Sequence, residues 1–325
     1  MDPFAHVPVG STDRLITQLG LGAAALAGDQ TTDADAEATV RTAWDAGVRY
    51  FDVAPMYGNG AAEIRLGRAL AAYPRDEYVL SSKVGRLIPG HEDGDGVGDS
   101  WAYDFSADGV RRSFAASLTR LGVDRIDILL IHDPDDHYDA ALNEAYPVLT
   151  DLRGQGVVGA IGFGMTQIPL PIRFVRETDL DVLLLAGRYT LLDTEGADEL
   201  LPLCVERGVS VLNAQSLHGG LIEAQPNPRF HYQPVDPATQ AKVDTIRGIC
   251  DRYGVPTAAV AIQFPLAHPA VTAVVTGPST GEQMAGNLAW AQMEIADDLW
   301  TDLKEVGILG DDIPVPSLPP GKGSP

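Results

Sequence analysis

Cysteine is scarce in this sequence, and basic residues are outnumbered by acidic ones. The two cysteines, Cys204 and Cys250, lack the spacing of a metal site or a CxxC motif. We interpret them as small core residues, and the sequence predicts no metal centre. Lys and Arg number 23 against 45 Asp and Glu, for a formal net charge of −22. Because such a charge repels phosphate backbones and anionic lipids, neither nucleic acid nor a membrane is an expected partner.

Long apolar segments are also missing. No run reaches the roughly 18 apolar residues that a membrane-spanning helix needs. The first ten residues lack the basic and apolar regions of a signal peptide. These features predict a cytoplasmic protein whose acidic surface supports solubility. The oligomeric state is left open.

Short apolar runs alternate with helical patterns along the whole chain. The predicted strands are Ile16–Leu21, Val48–Val53, Tyr78–Ser82, Ile126–Ile131, Val157–Ile161, Val182–Leu185, Val209–Leu212 and Val271–Val275. Helical patterns between them include Ala34–Ala46, Ala61–Ala71, Ala107–Leu121, Ala140–Gln155 and Glu199–Arg207. This order predicts an α/β fold, a (β/α)₈ TIM barrel whose active site lies at the C-terminal mouth. One barrel domain is predicted over residues 1–309, followed by a Pro-rich, poorly ordered tail over 310–325.

Three segments interrupt the alternation. His91–Asp104 is acidic and glycine-rich, and Gln225–Pro237 is proline-rich. Each follows a predicted strand, so both are expected to be loops at the barrel mouth. Gly20–Ala25 (GLGAAA) fits the loose GxGxxG/A dinucleotide fingerprint, but Gly28–Thr32 intervenes before the next convincing helix. We interpret this segment as the end of the first barrel strand, and an open dinucleotide-binding sheet is the alternative fold.

Polar residues stand at the ends of three consecutive predicted strands. Asp52 ends the second strand, Lys83 the third and His132 the fourth, and Tyr57 lies five residues beyond Asp52. Each residue alone has an ordinary structural explanation. Together they should converge, because successive strands of a parallel barrel are neighbours.

The four groups have a coherent acid–base chemistry. A buried ammonium lowers the pKa of a nearby phenol from its usual value of about 10. A paired carboxylate offsets the cost of burying that ammonium. The phenol can then exchange the proton that accompanies a hydride transfer, while the imidazole orients the substrate oxygen.

This tetrad resembles that of the aldo-keto reductase superfamily. Phe51–Glu63 (FDVAPMYGNGAAE) resembles its first signature, and Gly159–Gly162 and Thr276–Asn287 resemble later ones. Ser117–His137 and Leu184–Asp193 are similar to the branch of aldose and pyridoxal 4-dehydrogenases. The resemblance implies a nicotinamide cofactor, an alcohol or aldose substrate, and catalytic roles for Asp52, Tyr57, Lys83 and His132.

The resemblance also implies a set of cofactor-binding residues. They are Gly22, Ala23, Asp52, Gly164, Met165, Asn213, Gln215, Leu217, Gly219, Gly277, Ser279, Gln283 and Asn287. The chain departs from the family where Gly164-Met165 replace a Ser-Asn pair, Ala186 replaces a Gln, and Ala214 replaces a stacking aromatic residue. The nicotinamide contacts are therefore expected to differ from the usual ones.

The candidate substrate-binding residues are Trp101, Tyr103, Arg188 and His218. Loop packing is the alternative interpretation of these residues, and a structural ion pair is the alternative for Arg188. The acidic loop His91–Asp104 favours a neutral sugar or alcohol, because carboxylates repel an anionic substrate.

The segment after the last strand predicts NAD rather than NADP. No Lys or Arg occurs between Arg252 and Lys304, and Gln283 stands where the family often has Arg. A basic residue from another loop, such as Arg229, is the alternative source of charge. The predicted function is therefore an NAD-dependent aldose 1-dehydrogenase of the L-fucose or D-threo-aldose type. The alternatives are a pyridoxal 4-dehydrogenase, an NADPH-dependent carbonyl reductase, and a non-catalytic barrel with a binding role.

Overall fold

A computed structural model describes residues 2–226, 228–231 and 233–317. Within them, eight parallel strands form a closed barrel in which each strand pairs with the next and the last pairs with the first. The strands are β1 Leu19–Gly22, β2 Tyr50–Asp52, β3 Val79–Val84, β4 Ile128–His132, β5 Ala160–Met165, β6 Val182–Ala186, β7 Ser210–Ala214 and β8 Val271–Thr276. The predicted barrel is confirmed, and the open-sheet alternative is wrong.

Helices surround the barrel. They are α1 Asp33–Ala46, α2 Ala61–Leu70, α3 Ala107–Leu121, α4 Tyr146–Gly154, α5 Pro169–Glu177, α6 Leu200–Arg207, α7 Pro237–Tyr253, α8 Thr257–Gln263, α9 Gly281–Gln292 and α10 Asp297–Glu305. The predicted helix Ala140–Gln155 begins instead with a short helical turn, Tyr138–Ala140, and a π-helical turn, Ala141–Ala145. The ring closes where α9 packs against α1.

Local signals account for the helix ends. Thr32 and Asp35 form a capping box at the start of α1, and Gly47 ends that helix with a φ of 107°. Ser106 caps α3 by accepting a hydrogen bond from the Gly109 amide.

The interior of the barrel is filled and its lower end is closed. An N-terminal hairpin pairs His6–Pro8 with Leu15–Thr17. Its fully buried Ile16 packs in one cluster with barrel residues such as Tyr50, Ile128 and Leu212. Because this floor fills the N-terminal end, a ligand must enter from the C-terminal mouth.

The segments that break the alternation fold at that mouth. Gly20 and Gly22 lie within β1, as interpreted, and Ala23–Ala27 forms a 3₁₀ turn. The acidic loop closes with a ribbon that pairs Arg86–Leu87 with Ala102–Tyr103. The proline-rich loop contains a ribbon that pairs Arg229–Phe230 with Gln233–Pro234.

The predicted tail is attached to the barrel at its start. Ile313 is only 7% exposed and belongs to the main core cluster, so residues near it are not separate from the barrel. Residues 318–325 lie outside the described part of the chain. Cys204 and Cys250 are buried and unbonded to each other. In the described ranges no helix has the length and apolarity needed to cross a membrane.

Candidate active site

The C-terminal ends of β2, β3 and β4 bring Asp52, Lys83 and His132 to one side of the mouth. Lys83 Nζ donates to Asp52 Oδ2 at 2.8 Å and to Oδ1 at 3.0 Å, and to the Val53 carbonyl at 2.9 Å. Ser81 Oγ donates to Asp52 Oδ1 at 2.7 Å. Lys83 is 1% exposed and Asp52 is 3% exposed, so the ion pair is held out of solvent.

Tyr57 lies against this pair. Its ring centroid is 5.0 Å from Lys83 Nζ and 5.9 Å from the His132 ring, which stands nearly perpendicular to it. Burial lowers the pKa of the Lys83 ammonium. The opposing effects of Asp52 and Tyr57 together outweigh it, so the net shift of the pKa is upward. Lys83 is therefore a cation at neutral pH, and such a cation stabilises the ionised form of the neighbouring phenol.

The pKa of His132 is shifted in the opposite direction to that of Lys83. Burial, followed by the positive charges of Lys83 and Arg86, holds the pKa of its imidazole well below the ordinary value. The ring is therefore neutral at neutral pH and carries a single N–H. Its Nδ1 is buried without a hydrogen-bond partner among the described residues, whereas Nε2 lies 3.6 Å from Asp133 Oδ2. The neutral ring is suited to hydrogen-bonding a substrate oxygen without acting as a counter-charge.

A cavity of about 800 Å³ contains the whole tetrad. Most predicted cofactor-binding residues line it: Gly22, Asp52, Gly164, Met165, Gln215, Leu217, Gly219, Gly277, Ser279, Gln283 and Asn287. The fold thus brings predicted residues of β1, β5, the loop after β7 and α9 to one cavity.

Two residues predicted to bind the cofactor lie outside the cavity lining. Ala23 is fully buried in the core at the start of the 3₁₀ turn, and its neighbours Ala24 and Ala25 line the cavity instead. Asn213 is also fully buried. Its amide donates to the Tyr189 carbonyl at 2.8 Å and accepts from Ser216 Oγ at 2.9 Å, so it anchors the loop that follows β7.

Of the four candidate substrate-binding residues, one lines the cavity and three do not. His218 lines the cavity, where its Nε2 bonds to Thr190 Oγ1 at 2.8 Å, and burial lowers its pKa to about 4. Arg188 does not line it, since its guanidinium pairs with Asp193 at 3.2 Å and with Glu195 at 3.3 Å. Arg188 therefore follows the alternative interpretation, a structural ion pair.

Trp101 and Tyr103 also lie outside the cavity lining. Their ring centroids are 4.5 Å and 5.2 Å from the guanidinium carbon of Arg86, which does line the cavity. The two aromatic residues therefore support a cavity residue from behind.

Other lining residues were not predicted from the sequence. They include Met56, Arg86, Asp133, Thr166, Glu223 and Gln225. Arg86 comes three residues after Lys83 and Asp133 directly follows His132. Their position just beyond a strand end was the available signal, because strand ends define the mouth.

Several features of the cavity wall suit a ligand with phosphates. Gly22 and Gly277 leave its wall without side chains, and a Cβ on Gly22 would lie 2.9 Å from Val275 Cγ1. Gly219 has a φ of 56° in the loop after β7, a conformation that favours glycine. Neutral donors from Gln215, Ser279 and Asn287 complete that wall, so the residues present fit a nicotinamide dinucleotide.

Comparison with known proteins identifies the class. Residues 18–308 match the model of the Aldo/keto reductase family. The chain belongs to this family of oxidoreductases, whose members act on small molecules with nicotinamide cofactors. The resemblance seen in the sequence is confirmed.

Particular relatives place the chain more closely. It is 41% identical over 313 residues to D-threo-aldose 1-dehydrogenase of a Pseudomonas species, covering 90% of this chain and 95% of that protein. It is 36% identical over 332 residues to pyridoxal 4-dehydrogenase of Microbacterium luteolum, covering 93% and 97% of the two chains. Among solved structures, glycerol dehydrogenase of Gluconobacter oxydans matches with a TM-score of 0.77 at 22% identity, over 97% and 98% of the chains. That last likeness concerns the fold alone.

Proposed function

We propose that this protein is an NAD-dependent dehydrogenase that oxidises a neutral aldose at C1. The 41% identity to D-threo-aldose 1-dehydrogenase supports this substrate class. The charge pattern of the cavity supports both the cofactor and the neutrality of the substrate.

The pairing of the cavity's cations is the observation that carries the proposal. In the described lining, the Lys and Arg side chains are Lys83 and Arg86. Asp52 pairs with the first and Asp133 with the second, each at 2.8 Å. Glu223 adds a further carboxylate to the lining, and Arg229 does not belong to it.

This balance favours NAD. The 2′-phosphate of NADP would enter a cavity whose cations are already neutralised, and charge-assisted contacts are those that such a phosphate needs. A ribose with free hydroxyls needs only neutral partners, and Ser279, Gln283 and Asn287 supply them. The same balance disfavours a strongly anionic substrate.

The tetrad accounts for the proton that must leave the substrate. A bound nicotinamide supplies the hydride acceptor. Tyr57 accepts the hydroxyl proton, and the Lys83 cation stabilises the phenolate that can do so. Asp52 holds Lys83 in place, and the neutral His132 orients the reacting oxygen.

A substrate panel with NAD and NADP in parallel tests the proposal. We expect reduced nicotinamide to form fastest with a neutral aldose and NAD, and Tyr57→Phe to serve as the inactive control. A preference for NADP of tenfold or more, about 1.4 kcal/mol in transition-state binding, would contradict the cofactor assignment. A sugar phosphate as the best substrate would contradict the substrate assignment.

A second candidate follows from the relative at 36% identity, pyridoxal 4-dehydrogenase. Pyridoxal carries no phosphate and closes to a cyclic hemiacetal like that of an aldose, so the same panel must include it. An NADPH-dependent reductase activity is the outcome that a preference for NADP would support. A cytoplasmic location stays a prediction from the sequence, and cell fractionation tests it.

A further inference from the structure

A second buried ion pair lies beside the tetrad and has no part in the proton transfer described above. Arg86 Nη2 donates to Asp133 Oδ2 at 2.8 Å, and the two side chains are 8% and 17% exposed. Both residues line the cavity. We propose that Arg86 and Asp133 bind the substrate hydroxyl on the carbon next to the reacting one. The inference rests on the proposed function and deepens it, because it names how a polyhydroxylated substrate is recognised.

The pair retains unused hydrogen-bonding capacity on both sides. Arg86 has five N–H donors, yet the described residues offer it one carboxylate oxygen and the weakly accepting thioether of Met56. Its Nε is buried without a partner. On Asp133, the side-chain contacts to Arg86 and His132 both use Oδ2. A hydroxyl, which both donates and accepts, complements an arginine beside a carboxylate.

The position of the pair selects the hydroxyl. Asp133 Oδ2 lies 3.6 Å from His132 Nε2, and His132 is the group expected to hold the reacting oxygen. Two hydrogen-bonding groups this close together suit two oxygens on adjacent carbons. For an aldose oxidised at C1, the second oxygen is the C2 hydroxyl.

The backbone on both sides is constrained to present the pair. Asp133 has a φ of 40°, which is unfavourable for most residues with a side chain. Gly85, directly before Arg86, has a φ of 97°, and a Cβ there would lie 2.1 Å from the Phe105 ring. The rings of Trp101 and Tyr103 flank the guanidinium. This rigid support suits a binding contact, since a preorganised group loses little entropy when the ligand arrives.

The test compares substrates that differ by one hydroxyl. We would measure kcat/KM for L-fucose and 2-deoxy-L-fucose with NAD, and for glycolaldehyde and acetaldehyde with NADH, at mildly alkaline pH. The wild type should prefer the hydroxylated member by about 10- to 100-fold, the range for a hydrogen bond to a charged group. In Asp133→Asn and Arg86→Lys this preference should collapse toward unity, because kcat/KM for the hydroxylated member falls by more than kcat/KM for its deoxy counterpart.

The two substitutions keep the size and backbone preference of the residues that they replace. Asn tolerates a positive φ at position 133, and Lys keeps a cation at position 86. Asp108→Asn is the matched control, because it breaks the exposed Arg112–Asp108 pair, 2.9 Å long, and neither residue lines the cavity. This control should leave the hydroxyl preference unchanged, and circular dichroism should show the same fold in all variants.

The outcomes separate the inference from the proposed function. An aldose that is oxidised as well as its 2-deoxy counterpart overturns the inference and leaves the function standing. A retained hydroxyl preference in both variants also overturns the inference. If glycolaldehyde is preferred over acetaldehyde but no aldose is oxidised, the inference stands and the proposed function fails. No turnover of any hydroxylated substrate overturns both.

Discussion

Stability and catalysis can be separated at the buried pair of Asp52 and Lys83. Lys83→Met removes the cation with little change of volume and leaves the Asp52 carboxylate buried, where Ser81 Oγ still donates to it. Asp52→Asn leaves a buried ammonium whose carboxylate is gone and whose Val53 carbonyl contact remains. An uncompensated buried charge costs about 3–5 kcal/mol, so each single variant should lose that much free energy of unfolding.

The double variant Asp52→Asn/Lys83→Met should behave differently. It has no buried charge at either position, so its free energy of unfolding should return to within about 1 kcal/mol of the wild type. Turnover should not return. All three variants should lose at least about a hundredfold in kcat. In each one, either the Lys83 cation beside the Tyr57 phenol is gone, or the Asp52 carboxylate that holds that cation in place is gone.

The assay is urea unfolding followed by circular dichroism near neutral pH, with kcat measured on the same samples. Neutral pH is chosen because of how the contribution of Lys83 to stability depends on pH. The pKa of Lys83 is raised in the folded protein, so its contribution is fully present below the usual value of about 10.4 and is lost as the pH rises through the folded value. A double variant as unstable as Lys83→Met would refute the charge argument. Wild-type turnover in the double variant would refute the catalytic role of Lys83.

Tyr57→Phe should keep the fold and cofactor binding, seen by fluorescence titration with NADH, but lose at least about a hundredfold in kcat; near-normal turnover would remove Tyr57 from the mechanism. Gln283→Arg should raise kcat/KM for NADP relative to NAD by about tenfold through a charge-assisted contact, whereas the exposed Gln292→Arg on the same helix should not; equal effects would mean that only net charge matters. Burial lowers the pKa of His218 to about 4, so the unfolded state binds the extra proton and stability should fall as the pH drops from about 6.5. Urea midpoints across that range should fall less steeply in His218→Asn, and an unchanged slope would contradict the assignment.

The architecture could be predicted because it depends on local pattern. Each barrel strand is a short apolar run, and α3 begins and ends at the predicted residues, Ala107 and Leu121. The observed strand boundaries differ from the predicted ones where tertiary packing sets them. The single predicted strand Ile16–Leu21 is split between the hairpin strand Leu15–Thr17 and β1, because Ile16 fills the barrel floor. The predicted strand Val157–Ile161 lies at Ala160–Met165, since the alternating glycines there hide the apolar pattern.

The convergence of Asp52, Tyr57, Lys83 and His132 could be predicted from the sequence for a related reason. A parallel barrel places the C-terminal ends of successive strands side by side. Polar residues at the ends of three consecutive apolar runs therefore had to meet, whatever the details of packing. The cofactor-binding set followed from family motifs, and most of it lines one cavity.

Tertiary structure alone decided which mouth residues face that cavity. Arg188 and His218 look equally suitable in the sequence, but Arg188 is drawn away by Asp193 and Glu195 while His218 is held at the wall by Thr190. Arg86 and Asp133 are separated by 47 residues, and their pairing depends on how the chain continues beyond the ends of the adjacent strands β3 and β4. The direction of a loop side chain is set by partners distant in the chain, which no local periodicity records. The sequence by itself therefore determined the barrel and the meeting of the four polar residues at its mouth, and the folded chain determined which other side chains form the cavity wall.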